Sequence, residues 1–168
     1  ALFTKEPVRS LRYGSPLSVA MDSTFLIGED TLTSFNPINK TYIEISYAGN
    51  RTIFLPNATG TVTINATERG NLTFKFIQNG ITIVEGQNVL VIKGDSNKDS
   101  EQESATALLV DLNGINPKDP RSSTGVAFFR TNSTGKLAFL NNMVAIYQVK
   151  ASPLGTAIKY WEWKGSAN

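Results

Sequence analysis

The fold class is decided by residues 71–84, which read Asn-Leu-Thr-Phe-Lys-Phe-Ile-Gln-Asn-Gly-Ile-Thr-Ile-Val. In the first half of this stretch, Leu72, Phe74 and Phe76 alternate with polar residues, which is the period of a half-buried strand. The pair Asn79-Gly80 then interrupts the run, and a second β-branched run follows at once. Two such runs on either side of an Asn-Gly pair predict an antiparallel hairpin.

The same period of two recurs along most of the chain, and no segment keeps a helical period of 3.6 residues over three turns. Short, closely spaced strands of this kind are typical of an antiparallel sandwich or barrel. We favour an all-β sandwich of immunoglobulin-like or jelly-roll-like type. The predicted strands span residues 41–47, 60–67, 71–77, 81–84, 89–93, 105–112, 125–131, 137–140, 143–150 and 156–163.

The composition of the 168 residues argues against catalysis. The chain contains no cysteine and no histidine, so Cys–His and Ser–His arrangements are excluded. Catalysis by a pair of carboxylates is compatible with the composition, but many of the 14 acidic residues are bunched in residues 95–103 or alternate with apolar ones. We therefore predict a protein that is not an enzyme, with no catalytic residues and no cofactor other than covalent glycans.

Charge and hydropathy limit the partners. The net charge is +2 and no Lys/Arg cluster occurs, which argues against a nucleic-acid partner. No stretch reaches the roughly 18 apolar residues that a membrane-spanning helix needs, so we predict no membrane span. The chain opens with Ala1-Leu2-Phe3, as a mature chain does after signal-peptide cleavage, and a chain trimmed for recombinant expression could begin in the same way.

Six tripeptides match the N-glycosylation acceptor pattern Asn-x-Ser/Thr. With 15 Asn and 31 Ser plus Thr in the chain, chance predicts about three. All six have Thr at the third position, and strand phase places Asn65 and Asn71 opposite apolar residues, on a face that a glycan can occupy. We predict that Asn50 and Asn57 lie in exposed turns and that the protein is extracellular. The acceptors are Asn39, Asn50, Asn57, Asn65, Asn71 and Asn132.

Two other groups of residues have a functional and a structural interpretation. Asp95, Asn97, Asp99 and Glu101 space oxygen ligands as the first half of a Ca²⁺ loop does, but the glycine and the final glutamate of such a loop are missing. We favour a polar surface loop. The aromatic residues of Tyr160–Trp163 could form a sugar-stacking platform with Trp161 and Trp163, but residues of this kind more often stabilise a sheet.

The N-terminal segment, residues 1–14, is more apolar than a disordered tail usually is, and residues 15–168 form the single predicted sandwich domain. A terminal strand can add itself to the open sheet edge of a neighbouring molecule, and head-to-tail contacts of this type propagate into a filament. Pairing of the same strand within its own domain is at least as compatible with the sequence. The apolar positions of the segment are Leu2, Phe3, Val8, Leu11 and Tyr13.

An extended apolar N-terminal segment, an all-β domain, no cysteine and a dense run of Thr-type acceptors from Asn39 to Asn71, with Asn132 beyond, resemble the subunits of archaeal extracellular threads and bundling pili. This resemblance implies a secreted, N-glycosylated homopolymer assembled by donor-strand complementation, with Leu2 to about Tyr13 as the donated strand and with adhesion to other cells or surfaces, or biofilm formation, as its role. The alternative is a monomeric, surface-associated carbohydrate-binding β-sandwich module.

Overall fold

The structure, a computed structural model, describes residues 24–57, 60–92, 102–113, 121–153 and 155–163. The predicted donor segment and the Ca²⁺ candidates Asp95, Asn97, Asp99 and Glu101 lie outside these residues. The all-β prediction is confirmed. The strands are β1 (Thr24–Asn39), β2 (Tyr42–Asn57), β3 (Gly60–Phe76), β4 (Thr82–Ile92), β5 (Glu103–Asn113), β6 (Ser122–Arg130), β7 (Val144–Ser152) and β8 (Gly155–Glu162).

Each strand pairs antiparallel with the next along the chain, and β8 pairs with β1, so one sheet closes on itself as a barrel. The predicted sandwich of two sheets is therefore not what the described strands form. A period of two places alternate residues on opposite faces in both architectures, so strand periodicity cannot distinguish them.

The predicted hairpin around Asn79-Gly80 is confirmed. Phe76 pairs with Thr82, and residues Gln78–Gly80 form a 3-10 turn between β3 and β4. Asn79 and Gly80 both have positive φ, of 60° and 73°, a conformation that asparagine and glycine adopt most readily.

The connections divide the barrel into two ends. The β1–β2, β3–β4 and β7–β8 connections lie at what we call the upper end, where β5 also ends, and the β6–β7 connection lies at the lower end. The lower half of the barrel interior is filled by the hydrophobic core. Phe25 packs edge-to-face on Phe129 and Phe139, and the β6–β7 segment contributes the buried residues Leu137 and Leu140.

The β6–β7 segment corrects one predicted element. The sequence pattern predicts a strand at residues 137–140, but Ala138–Leu140 is a 3-10 helix. Leu137 and Leu140 are three residues apart, so one turn of 3-10 helix places both on the same side, and both are buried in the hydrophobic core. Apolar spacing over four residues does not separate this arrangement from a strand.

Candidate functional site

The outer face of β2 and β3 holds three glycosylation acceptors. Asn50, Asn65 and Asn71 are exposed, and each has one buried neighbour in sequence, which is Arg51, Ala66 and Gly70 respectively. Asn50 pairs across the strands with Thr67, and Asn65 pairs with Thr52, so each acceptor lies opposite the threonine of the other tripeptide. We call this surface, defined by these three asparagines, the acceptor wall.

Asn50 lies in the middle of β2 and not in the turn that the Gly49-Asn50 pair suggested. Gly49 is needed there for space, because a Cβ atom at this position would overlap the backbone of Glu29 and the side chains of Asp30 and Arg51. The exposure expected for Asn50 is nevertheless observed.

The remaining acceptors lie at ends and connections. Asn39 is exposed at the end of β1, where its Oδ1 accepts hydrogen bonds from the backbone N–H (2.8 Å) and Oγ1 (3.0 Å) of Thr41 in the same tripeptide. Asn132 is exposed just after β6, and Asn57 is the last residue of β2. Exposure of five acceptors permits glycosylation, which stays a prediction.

The upper part of β1 has one unpaired edge among the described residues. The pairing of β1 with β8 ends at Asp30, whereas its pairing with β2 continues to Asn39. Every residue from 31 to 40 is exposed, and the exposed fraction is 58% for Leu32, 59% for Phe35 and 52% for Ile38. Pro37 lies in this stretch, as is typical of an edge strand. We call residues 31–39 the β1 edge.

A second apolar surface lies on the outer face of β5 and β6, away from the acceptor wall. Alternate residues of β5 are exposed, and Leu108 lies directly across from Phe128 of β6. We call this surface the apolar wall, and its members are Leu108, Val110, Leu112 and Phe128. An exposed cluster of large apolar side chains often marks an interaction surface.

Inside the barrel, a buried ion pair joins β2 to β3. The guanidinium of Arg51 donates to both carboxylate oxygens of Glu68, from Nη2 at 2.8 Å and from Nε at 3.2 Å. Its Nη2 also lies 2.7 Å from Asp30 Oδ1, and the Tyr47 hydroxyl donates to Glu68 Oε1 at 2.9 Å. Burial raises the pKa values of Glu68 and Asp30, and Arg51 opposes both shifts.

A second carboxylate pair lies nearer the upper end. The hydroxyl of Tyr147 on β7 donates to Asp111 Oδ2 on β5 at 2.7 Å. Asp111 is only 6% exposed, and its other oxygen, Oδ1, has no hydrogen-bond partner among the described residues. Burial raises the pKa of Asp111 to about 6, although the Tyr147 hydrogen bond opposes the shift.

Above these groups the barrel interior is open. A cavity of about 190 Å³ is lined by residues from all eight strands, among them Asp30, Tyr47, Phe74, Asp111 and Tyr147. We call it the mouth cavity. Eight-stranded barrels have an interior that is either filled by side chains or holds one small ligand, and this molecule combines a filled lower half with a cavity above.

The other predicted features have mixed outcomes. Trp161 is buried and Trp163 is 43% exposed, so the two do not form an exposed stacking pair. Among the described residues, no group of three or more Asp or Glu side chains is arranged to hold a metal ion. Within that same part of the chain, no helix is long and apolar enough to cross a membrane.

The interior charges were not predicted from the sequence, although a signal was present. Glu68 is in phase with Ile64 and Ala66, and Arg51 is in phase with Ile53. Charged residues on an otherwise apolar face of a strand indicate a buried pair, because an unpaired buried charge is too costly.

These features define the class: an all-β protein whose described strands close into an eight-stranded antiparallel barrel, with acceptor asparagines outside and, at one end, a largely apolar cavity that Asp30 and Asp111 also line. Comparisons with protein-family models, curated proteins and solved structures find no match.

Proposed function

We propose that this protein is a structural subunit of an extracellular, N-glycosylated filament that assembles head to tail by strand addition. The observation that carries the proposal is the β1 edge. It offers nine residues of strand, seven of which pair with β2 and none with β8 among the described residues, and it exposes Leu32, Phe35 and Ile38.

Exposed edges of this length invite pairing with another chain, and soluble proteins normally protect them. In strand addition, an extended segment forms main-chain hydrogen bonds with such an edge while its side chains contact the neighbouring surface. Residues 2–13 of a second copy have a similar length and apolar positions at Leu2, Phe3, Val8 and Leu11. The contact joins two different surfaces, so it can repeat without closing.

The acceptor wall supports an extracellular location. Asn50, Asn65 and Asn71 are exposed on strands other than the one that holds the β1 edge. Glycans on β2 and β3 therefore project from an outer surface and leave the apolar wall on β5 and β6 uncovered.

The experiment compares fibre formation by electron microscopy for the full-length chain and for two classes of variant. The double substitution Phe35→Lys with Ile38→Lys places two charges on the β1 edge, and deletion of residues 1–13 removes the proposed donor. Both variants are expected to remain folded and monomeric while the wild type forms fibres.

The matched control is Val89→Lys. Val89 is 41% exposed but lies in β4, where it is paired on both sides, and it belongs to neither the β1 edge nor the apolar wall. Fibres of the edge variant that equal those of the wild type would rule out the β1 edge as acceptor. Absence of fibres from native wild-type material would contradict the proposed function itself.

A further inference from the structure

The mouth cavity is lined by a buried carboxylate that has no assigned role in folding or in the proposed filament assembly. Asp111 Oδ1 is buried without a hydrogen-bond partner among the described residues, and Asp111 lines the cavity. A buried acceptor left in this way costs free energy unless a donor occupies the space in front of it.

The charges around the cavity favour a cationic donor. Three carboxylates, Asp30, Glu68 and Asp111, lie in or next to the cavity, and the buried cation facing them is Arg51, which contacts Asp30 and Glu68. Asp111 receives only the neutral hydroxyl of Tyr147. Arg121 also lines the cavity, but it is exposed at the rim. The interior position next to Asp111 therefore lacks a positive partner among the described residues.

The walls of the cavity suit an organic cation. Tyr47, Phe74 and Tyr147 supply aromatic rings, and aliphatic side chains such as Val84 and Val149 supply the remaining apolar surface. Aromatic faces attract ammonium groups. A volume of about 190 Å³ is somewhat larger than the roughly 150 Å³ that accommodates a benzene molecule. A cavity of this size therefore accommodates a small molecule but not a sugar chain or a peptide.

We propose that the mouth cavity binds a small organic ammonium ion whose N–H groups donate to Asp111 Oδ1 and whose apolar body packs between Tyr47, Phe74 and Tyr147. The β1 edge contributes Thr31 and Leu32 to the cavity wall, but the carboxylate of this site belongs to Asp111 on β5, so variants at Asp111 test it separately from the filament contact.

The test is an NMR titration of the full-length chain with three probes of similar shape: n-butylammonium, n-butanol and n-butyrate. Butylammonium is expected to shift the amide signals of residues that line the cavity in a saturable manner, with the other two probes binding much more weakly. Asp111→Asn should weaken butylammonium binding about tenfold or more, because the ammonium group then meets a neutral acceptor and the hydrogen bond is no longer charge-assisted.

Two further variants complete the experiment. Glu85→Gln removes an exposed carboxylate from neighbouring β4, across from Val110, and should bind butylammonium as the wild type does. Val149→Phe fills the cavity without changing its charge and should block the probe. Absence of a saturable shift with butylammonium, equal binding of butanol, stronger binding of butyrate, or unchanged affinity in Asp111→Asn would each overturn the proposal.

Discussion

Arg51 determines whether the polar interior is stable. Its guanidinium lies between Glu68 and Asp30, at 2.8 and 2.7 Å, and the Arg51 and Glu68 side chains are fully buried. A buried pair of this kind adds little free energy over an apolar pair of the same size, whereas loss of one partner costs about 3–5 kcal/mol because it leaves a buried charge uncompensated. The three charged residues are therefore interdependent, and Arg51 serves both carboxylates. Asp111, by contrast, receives only the neutral hydroxyl of Tyr147 from the part of the chain that the structure describes.

The first prediction, at the residue scale, concerns Asp111 and pH. Its pKa is about 6 in the folded state and 3.8 ordinarily, so the folded state holds this proton more tightly than the unfolded state does. The contribution of this group to stability is therefore largest below about pH 4 and declines as the pH rises through about 6. At neutral pH the ionised Asp111 therefore lowers the free energy of unfolding by about 3 kcal/mol at most, since each pKa unit corresponds to about 1.36 kcal/mol.

Asp111→Asn imitates the protonated form and can still accept the hydrogen bond from Tyr147. We expect the variant to be more stable than the wild type at about pH 8 and to lose that advantage near pH 4. Urea unfolding at several pH values measures the difference, and Glu44→Gln, at an exposed site on β2, serves as control. A stability difference that does not vary with pH would contradict the elevated pKa.

At the scale of elements, the β6–β7 segment is held by one carboxylate. Glu103, the first residue of β5, accepts hydrogen bonds from the hydroxyl of Ser133 and from the backbone N–H groups of Leu137 (2.9 Å) and Lys136 (3.1 Å). Partial burial alone would raise the pKa of Glu103, but these hydrogen bonds and the charge of Lys136 lower it. The start of β5 therefore fixes the segment that closes the lower end.

We expect Glu103→Ala to destabilise the protein by about 2 kcal/mol, because two backbone donors and one hydroxyl lose a charged acceptor. Hydrogen exchange should accelerate at the Lys136 and Leu137 amides before it does in the β4–β5 ladder. Glu44→Ala, which removes an exposed carboxylate from the outer face of β2, should leave both amides protected. Equal protection of the two amides in Glu103→Ala would show that apolar packing alone holds the segment.

Much of the element scale could be predicted from sequence, because a period of two is a local property. Segments such as 105–112 and 143–150 coincide closely with β5 and β7, and the Asn79-Gly80 turn is where it was expected. β1 has no counterpart among the predicted strands, and its register shifts between Leu32 and Ser34 and between Pro37 and Asn39 break the period of two. The pairing of Thr24 with Trp161, which closes the sheet, depends on contacts between distant residues and leaves no local signal.

The candidate sites show the same difference between local sequence patterns and contacts of distant residues. The acceptor tripeptides are local motifs that the sequence shows directly, and the exposure that strand phase predicts for Asn65 and Asn71 is observed. The mouth cavity has no motif. Its polar pair forms only when β5 and β7 flank β6, because Asp111 and Tyr147, 36 residues apart in sequence, both pair with Gly125 and meet over it.

At the scale of the whole molecule, the outer surface has two contrasting sides. The acceptor wall on β2 and β3 exposes amides and threonines, whereas the apolar wall on β5 and β6 exposes Leu108, Val110, Leu112 and Phe128. A bulky glycan requires a solvated surface, and an exposed apolar cluster is typical of a contact surface. If the subunits polymerise as proposed, the acceptor wall should face solvent and the apolar wall should face a neighbouring copy.

The chain contains no cysteine, so single introduced thiols can test this orientation. Thr63→Cys places one on the outer face of β3, and Val110→Cys places one on the apolar wall; both native residues are exposed. In monomers, a maleimide attached to polyethylene glycol should label both thiols rapidly. In fibres, Thr63→Cys should still react, whereas Val110→Cys should be protected because the neighbouring subunit covers it. Equal labelling of Val110→Cys in fibres and monomers would exclude the apolar wall from the contact, while the β1 edge would remain a separate question, decided by the charged edge variants.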